Sequence, residues 1–292
     1  LLAKSPTLAC VEQLLLDSNS IGNTGAGAIA ESKQLESLAD LYLYDNNYNG
    51  TSGTALMDLR IRLLLKRHFS GTKLNLNGQR LENAGLKALA RSDQLAGVET
   101  LSLRNNHFDH AGLEALAQSK HLTSLKSLNL MDNPIRNKGA IILAESKAFS
   151  GLRNLNLENC GIMPAGVLAL ARSETLNGLE EITLNKNEIK ERGFQHLTAS
   201  ENFTNLKSLR AGDVFIGDLA VKSITLSAYL GKLEELCLNG NNITRDGVDT
   251  LCNASNLKAL KKIDFRRNLM QYEDCILLAD LPRFKKMEVV RF

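Results

Sequence analysis

Residues 101–122, LSLRNNHFDHAGLEALAQSKHL, hold two histidines three apart, His107 and His110, with Asp109 between them. Imidazoles beside a carboxylate are groups that bind zinc or move protons. A structural zinc takes four ligands, however, and no cysteine neighbours this stretch. The five cysteines (Cys10, Cys160, Cys237, Cys252 and Cys275) are an odd number, widely scattered, with no Cys-x-x-Cys pair. That pattern fits a reduced compartment better than a disulfide framework or a zinc site. Cys237 is a candidate nucleophile only if a base stands beside it. No G-x-x-x-x-G-K-[ST] loop for phosphate is present. What these residues can do depends on the elements that carry them.

A long repeat organises those elements. The pattern L-x-x-L-x-L-x-x-N-x-I-x-x-x-G-x-x-x-L-A-x-S occurs as Val98, Leu101, Leu103, Asn106, Phe108, Gly112, Leu116, Ala117 and Ser119. The next copy is Leu125, Leu128, Leu130, Asn133, Ile135, Gly139, Leu143, Ala144 and Ser146, and Leu152 opens a third. Starts fall at 11, 38, 71, 98, 125, 152, 179, 206, 233, 260 and 287, every interval being 27 residues except the 33 between 38 and 71. Leu-x-x-Leu-x-Leu alternates as a strand with one buried face does, and Leu113, Leu116 and Ala117 fall at helical spacing. The segment from Phe108 to His110 can cap that helix. Strand, loop and helix repeated in one direction predict a parallel sheet. Strands stack about 4.8 Å apart and helices about 10 Å, so the array must curve with its strands inside.

Within this comb His107 and His110 occupy variable loop positions, His110 standing where other repeats have Asn83, Asn137 or Asp218. No histidine occupies the strand positions of the repeats adjacent to Cys237. The column Asn19, Asn46, Asn106, Asn133, Asn187, Asn241 and Asn268 is expected to form a hydrogen-bond ladder inside the coil, since buried polar groups need partners. Cys160 takes an Asn position as a structural thiol, while Gln79 and Val214 break the column and predict looser loops. No catalytic residue, cofactor or metal ligand is assigned, and the chain is read as a non-enzyme.

The motif resembles the leucine-rich repeat family, and within it the ribonuclease-inhibitor-like class, over essentially the whole chain. The resemblance implies an α/β horseshoe solenoid with a parallel concave sheet and outer helices. It implies a single domain over residues 1–292, about ten repeats of 27 residues plus a terminal strand. Leu2-Ala3-Lys4-Ser5 already matches the tail of a repeat, and Met287 to Phe292 is a strand alone. Solenoid ends usually need capping repeats, so the chain reads as a fragment of a longer one.

The formal net charge of +3 with 23% charged residues gives no global reason to expect nucleic acid. No apolar run approaches the roughly 18 residues of a membrane span, and the opening LLAKSPTLACVEQL carries charge too early for a signal peptide. Asn-x-Ser/Thr triplets at Asn49, Asn202, Asn242 and Asn253 are then chance matches. The expected location is the cytoplasm, or a host-cell cytosol reached without a classical signal peptide. The molecule is expected to be a monomer when free, with neither membrane nor nucleic acid as partner.

Function must therefore lie on surfaces. The non-leucine strand residues project onto the concave face and vary while the framework does not. Tyr42 and Tyr44, flanked by Asp40 and Asp45, have the composition of a binding hot spot. Further candidates along the face are Arg104, Met131, Glu158, Arg210, Arg266 and Arg267. The last two belong to a basic region with Lys258, Lys261, Lys262, Lys285, Lys286 and Arg291, suited to an acidic partner. The extra six residues fall in GTSGTALMDLRIRLLLKRHFSGT, residues 50–72, which predicts an extended helix beside the tyrosines. The regular Gly-x-x-x-Leu-Ala-x-Ser texture resembles bacterial proteins, including effectors of intracellular pathogens. That resemblance implies capture of a folded protein, a host protein or an enzyme to be inhibited. The alternatives are the recognition domain of an enzyme such as a ubiquitin ligase, or a GTPase activator.

Overall fold

In each repeat the middle strand residue is an apolar side chain turned inward, as Leu128 is in Ser127-Leu128-Asn129. The computed structural model describes residues 2–35, 37–280, 282 and 284–292. Its strands are β1 (Gln13–Leu15), β2 (Asp40–Tyr42), β3 (Phe69–Ser70), β4 (Lys73–Asn75), β5 (Thr100–Ser102), β6 (Ser127–Asn129), β7 (Asn154–Asn156), β8 (Glu181–Thr183), β9 (Ser208–Arg210), β10 (Glu235–Cys237), β11 (Lys262–Asp264) and β12 (Val289–Arg291). Its α-helices are α1 (Asn23–Ala30), α2 (Gly50–His68), α3 (Glu82–Ala90), α4 (His110–Ala117), α5 (Arg136–Glu145), α6 (Pro164–Ala171), α7 (Lys190–Thr198), α8 (Asp218–Thr225), α9 (Arg245–Cys252) and α10 (Tyr272–Ala279). From β4 to β12 the strands pair in parallel, each residue opposite its equivalent in the next repeat, as Leu101 opposes Leu128. The helices stack in a second layer behind them.

Two polar columns hold successive coils together. Asn133, fully buried, donates from Nδ2 to the carbonyls of Leu130 (2.9 Å), Met131 (3.2 Å) and, in the preceding coil, Leu103 (2.9 Å). Its Oδ1 accepts from the Asn106 backbone N–H at 2.8 Å. Asn106, Asn187 and Asn241 repeat the scheme, so the expected ladder is present. Cys160 keeps one rung, its Sγ donating to the Leu130 carbonyl at 3.3 Å. The serine after α1, α4, α5, α6, α7 and α8 ties back to the preceding coil, as Ser146 Oγ does to the Ala117 carbonyl at 2.9 Å. Val214 does not loosen its loop. It is fully buried, and its backbone N–H is held by Asn241 Oδ1 at 3.0 Å, because an apolar side chain can fill the space while the next asparagine keeps the backbone paired.

Gln79 marks a real discontinuity. The single sheet expected from the repeat is two: β1 with β2, and a ten-stranded sheet from β3 to β12. Gln79 donates only within its own loop, to the Asn77 carbonyl at 3.3 Å, so the rung to the preceding coil is missing. The longer helix α2 delivers the chain to β4 through β3, which pairs antiparallel with β4 on the side where β2 would have joined. The hydrophobic core divides at the same place. Leu56, Leu59 and Leu63 of α2 pack with Leu14, Leu41 and Leu43, whereas Ile61, Leu64 and Leu65 pack with Leu74, Leu76 and the remaining coils. Helix α2 thus has two apolar faces and serves as the joint between two cores.

Candidate functional site

The histidine stretch forms a loop and the start of α4. His107 lies exposed in a left-handed loop conformation (φ 59°), a position also held by Arg80, Gly161 and Phe215 in other coils. Asp109 caps α4, accepting from the Ala111 N–H at 2.8 Å, and that hydrogen bond is the main force holding its carboxyl below the usual range. His110 stands in a column whose members cap the next helix: Asn83 Oδ1 accepts from the Asp109 and Gly112 N–H groups, and Asn137 Oδ1 from those of Met163 and Gly166. His110 Nδ1 is 4.0 Å from Asp109 Oδ1. Among the described residues no group of three or more His, Cys, Asp or Glu is placed to hold a metal ion. Burial, with Glu235 beside it, pushes the Cys237 thiol up to about 11, so it is protonated at neutral pH. Cys160, still more buried, is pushed to about 12.

The strand face presents the candidate binding residues, and the charged ones are paired across coils. Arg104 Nε lies 3.0 Å from Asp132, Glu158 2.8 Å from Lys186 and Arg210 2.7 Å from Glu235. At the basic end, Arg266 grips Asp264 at 2.6 Å, Arg267 reaches Asp213 at 2.7 Å and Lys261 reaches Glu234 at 2.7 Å. In the expected basic region Lys261, Arg266 and Arg267 are thus each neutralised, by an acidic side chain of the preceding coil, the same coil and two coils back respectively. Exposed pairs of this kind add little stability, but they fix where each charged group points. Asp264 is the buried exception. Burial acts to raise its pKa, yet the hydrogen bonds from the Arg266 side chain and backbone, with the charges of Arg266 and Arg291, hold it below the ordinary value. Met131 is half-buried between these pairs.

At the other end the two tyrosines part company. Tyr42 lies half-exposed on β2, directly beside Leu15 of β1, whose side chain is 64% exposed. Asp40, next to Tyr42, pairs with Arg67 from the last turn of α2. Tyr44, expected as a second free anchor, is instead built into the joint. Its hydroxyl donates to the Gln79 carbonyl at 3.1 Å and accepts from Arg60, and its ring lies between the Arg60 and Arg80 guanidinium groups, 5.1 and 5.3 Å from their Cζ atoms. Burial raises its pKa despite both arginines. In other coils the carbonyl at the Gln79 position accepts a backbone N–H of the preceding coil, as the Asn106 carbonyl does from Glu82 at 2.9 Å; here Arg60, 7% exposed, donates to the carbonyls of Gln79 and Arg80 instead. Asp45 occupies a left-handed turn (φ 52°) and accepts from Ser18 at 3.1 Å.

A leucine-rich repeat family model matches residues 98–117, 121–144 and 232–252. The fold is that of a leucine-rich repeat solenoid. No curated protein sequence matches it. Among solved structures, an internalin (inlF) from Listeria monocytogenes is 20% identical, with a TM-score of 0.43 over 98% of this chain and 83% of that one. Internalin C2 (inlC2) from the same organism is 18% identical, with a TM-score of 0.40 over 75% of this chain and 84% of that one.

In this leucine-rich repeat solenoid the candidates do not form one cluster. Tyr42 and Asp40 share the first sheet, Arg104, Met131 and Glu158 the middle coils, and Arg210 and Arg266 the C-terminal coils. Sequence reasoning passed over Leu15 as an exposed apolar group and Arg60 as a buried cation. Leu15 was readable, since leucine at a variable strand position breaks an otherwise polar column. Arg60 was not, since α2 has apolar residues on two faces and no pattern marks the turn that enters the gap. No helix of the described residues is long and apolar enough to cross a membrane.

Proposed function

We propose that the solenoid is a protein-binding module that engages a folded partner on its strand face, as an inhibitor or a bacterial effector would. The observation that carries this reading is the Leu15–Tyr42 pair. A leucine 64% exposed on a strand, beside a half-exposed tyrosine and rimmed by the Asp40–Arg67 ion pair, has an apolar centre and a charged rim. Such centres dominate binding energy when a partner dries them, and the rim tunes encounter more than affinity. Cross-coil ion pairs fix the charged groups along the rest of the face, lowering the entropy lost on binding. The test is affinity capture with the wild type and with L15S/Y42A, followed by calorimetric titration of the captured protein. The double variant should weaken binding at least about tenfold, or 1.4 kcal/mol. Equal affinity of both forms would remove the site from this face.

A further inference from the structure

At the C-terminal end of the strand face, β9 to β12 enclose a hollow of about 410 Å3. Arg210, Lys262, Arg266 and Arg291 line it together with only two carboxylates, Glu235 and Asp264, so four positive charges face two negative ones. The Cys237 thiol in its lining is protonated and adds no charge. Two of the cations are committed, Arg210 to Glu235 at 2.7 Å and Arg266 to both oxygens of Asp264. The other two are held only loosely. Arg291 Nη1 stands 3.8 Å from Asp264 Oδ2 and Lys262 Nζ 3.9 Å from Glu288, both beyond hydrogen-bond distance, with side chains 54% and 49% exposed. The excess of positive charge thus belongs to Lys262 and Arg291.

Their spacing selects a ligand. The register sets Lys262 opposite Val289 and Asp264 opposite Arg291. Lys262 and Arg291 are therefore one strand apart and two residues along, about 8 Å between backbones by strand spacing and rise. Side chains two residues apart on an extended peptide are separated by about 7 Å. We propose that this hollow takes an extended acidic segment of a partner protein, with carboxylates two residues apart seated on Lys262 and Arg291. Arginine offers a carboxylate two parallel N–H donors and lysine a compact charge, so both positions suit carboxylate. A nucleic acid strand fits worse. Running along the face toward the middle coils, its phosphates would meet Glu181, exposed on β8, and Glu158, and no aromatic platform lines the hollow for its bases.

The proposal rests on the protein-binding reading of this face but places its contact at the opposite end from Leu15 and Tyr42. The probe is a fluorescein-labelled hexapeptide carrying two glutamates two residues apart, followed by fluorescence anisotropy, with the glutamine-for-glutamate peptide as control. The acidic peptide should bind at low ionic strength and be released as salt rises, since the site is open to screening ions. The glutamine peptide should not bind. K262Q/R291Q should weaken the acidic peptide at least about fivefold, as the loss of two exposed pairs implies, and K138Q on α5 should leave it unchanged. Both lost side chains are half-exposed, so unchanged circular dichroism melts will establish that the double variant folds. Equal binding of the two peptides, equal weakening by K138Q, or tighter binding of an oligothymidylate than of the acidic peptide would overturn the proposal. Because the peptide reads this hollow alone, such a failure leaves the Leu15–Tyr42 experiment independent.

Discussion

Replacing Asn133 by alanine removes one rung of the ladder and should destabilise the solenoid by about 1–3 kcal/mol. The figure follows from the partners left behind. The carbonyls of Leu103, Leu130 and Met131 each keep a second donor, from Asn106 Nδ2, Cys160 Sγ and the Asn105 N–H, whereas the Asn106 N–H loses its acceptor at a fully buried position that water does not reach. A buried polar group deprived of its partner costs about 1 kcal/mol or more. The chain supplies its own control in Cys160, which holds the same position one coil later and still donates to the Leu130 carbonyl at 3.3 Å. Asn133→Cys should therefore fall between wild type and Asn133→Ala, recovering about 1 kcal/mol. Urea unfolding followed by circular dichroism, with shared slopes, reads the order directly. If alanine and cysteine destabilise equally, or alanine costs less than about 0.5 kcal/mol, the ladder is not what joins the coils.

The joint gives a second prediction. Arg60→Met keeps the apolar stem but removes donors to Tyr44, Gln79 and Arg80, so hydrogen exchange should rise in β1 and β2 while the coils from β5 onward keep their protection; uniform exchange along the chain would refute a two-core arrangement. For the cysteines, exposed Cys10 should react promptly with a thiol reagent at pH 8, whereas Cys160, held near 12, should react only on unfolding; prompt labelling of Cys160 would contradict its burial. Asp264 sets a pH dependence. Its folded pKa lies below the ordinary 3.8, so its stabilisation is present at neutral pH, begins to fall near pH 4 and disappears below the folded value. Asp264→Asn should flatten that acid limb in melts recorded from pH 5 downward, and an unchanged limb would show that Asp264 does not carry it.

The period of 27 residues determines nearly all of the local structure. Leucines at alternate positions force short strands, the asparagine column demands a buried ladder, and residues such as Asp109 cap the helices, all through contacts within one coil or between a coil and its neighbour. Interactions of that range are written directly into the spacing, which is why the parallel strands and outer helices were legible. The break at residues 50–72 was legible only as an insertion. Whether β2 would still join β4 depended on where α2 delivered the chain, and the antiparallel β3 took that edge. The fates of side chains followed from this. Tyr42 and Tyr44 look equivalent in sequence, yet one stays on the open face and the other is held by Arg60 and Arg80. The basic residues near the C-terminus look like one patch, yet Asp213, Glu234 and Asp264, up to 54 residues away, neutralise Arg267, Lys261 and Arg266. Repetition specifies the coil because each coil meets its neighbours in the same way. Where the repetition fails, and wherever charges from several coils converge, only the stacked structure decides which groups remain free to bind.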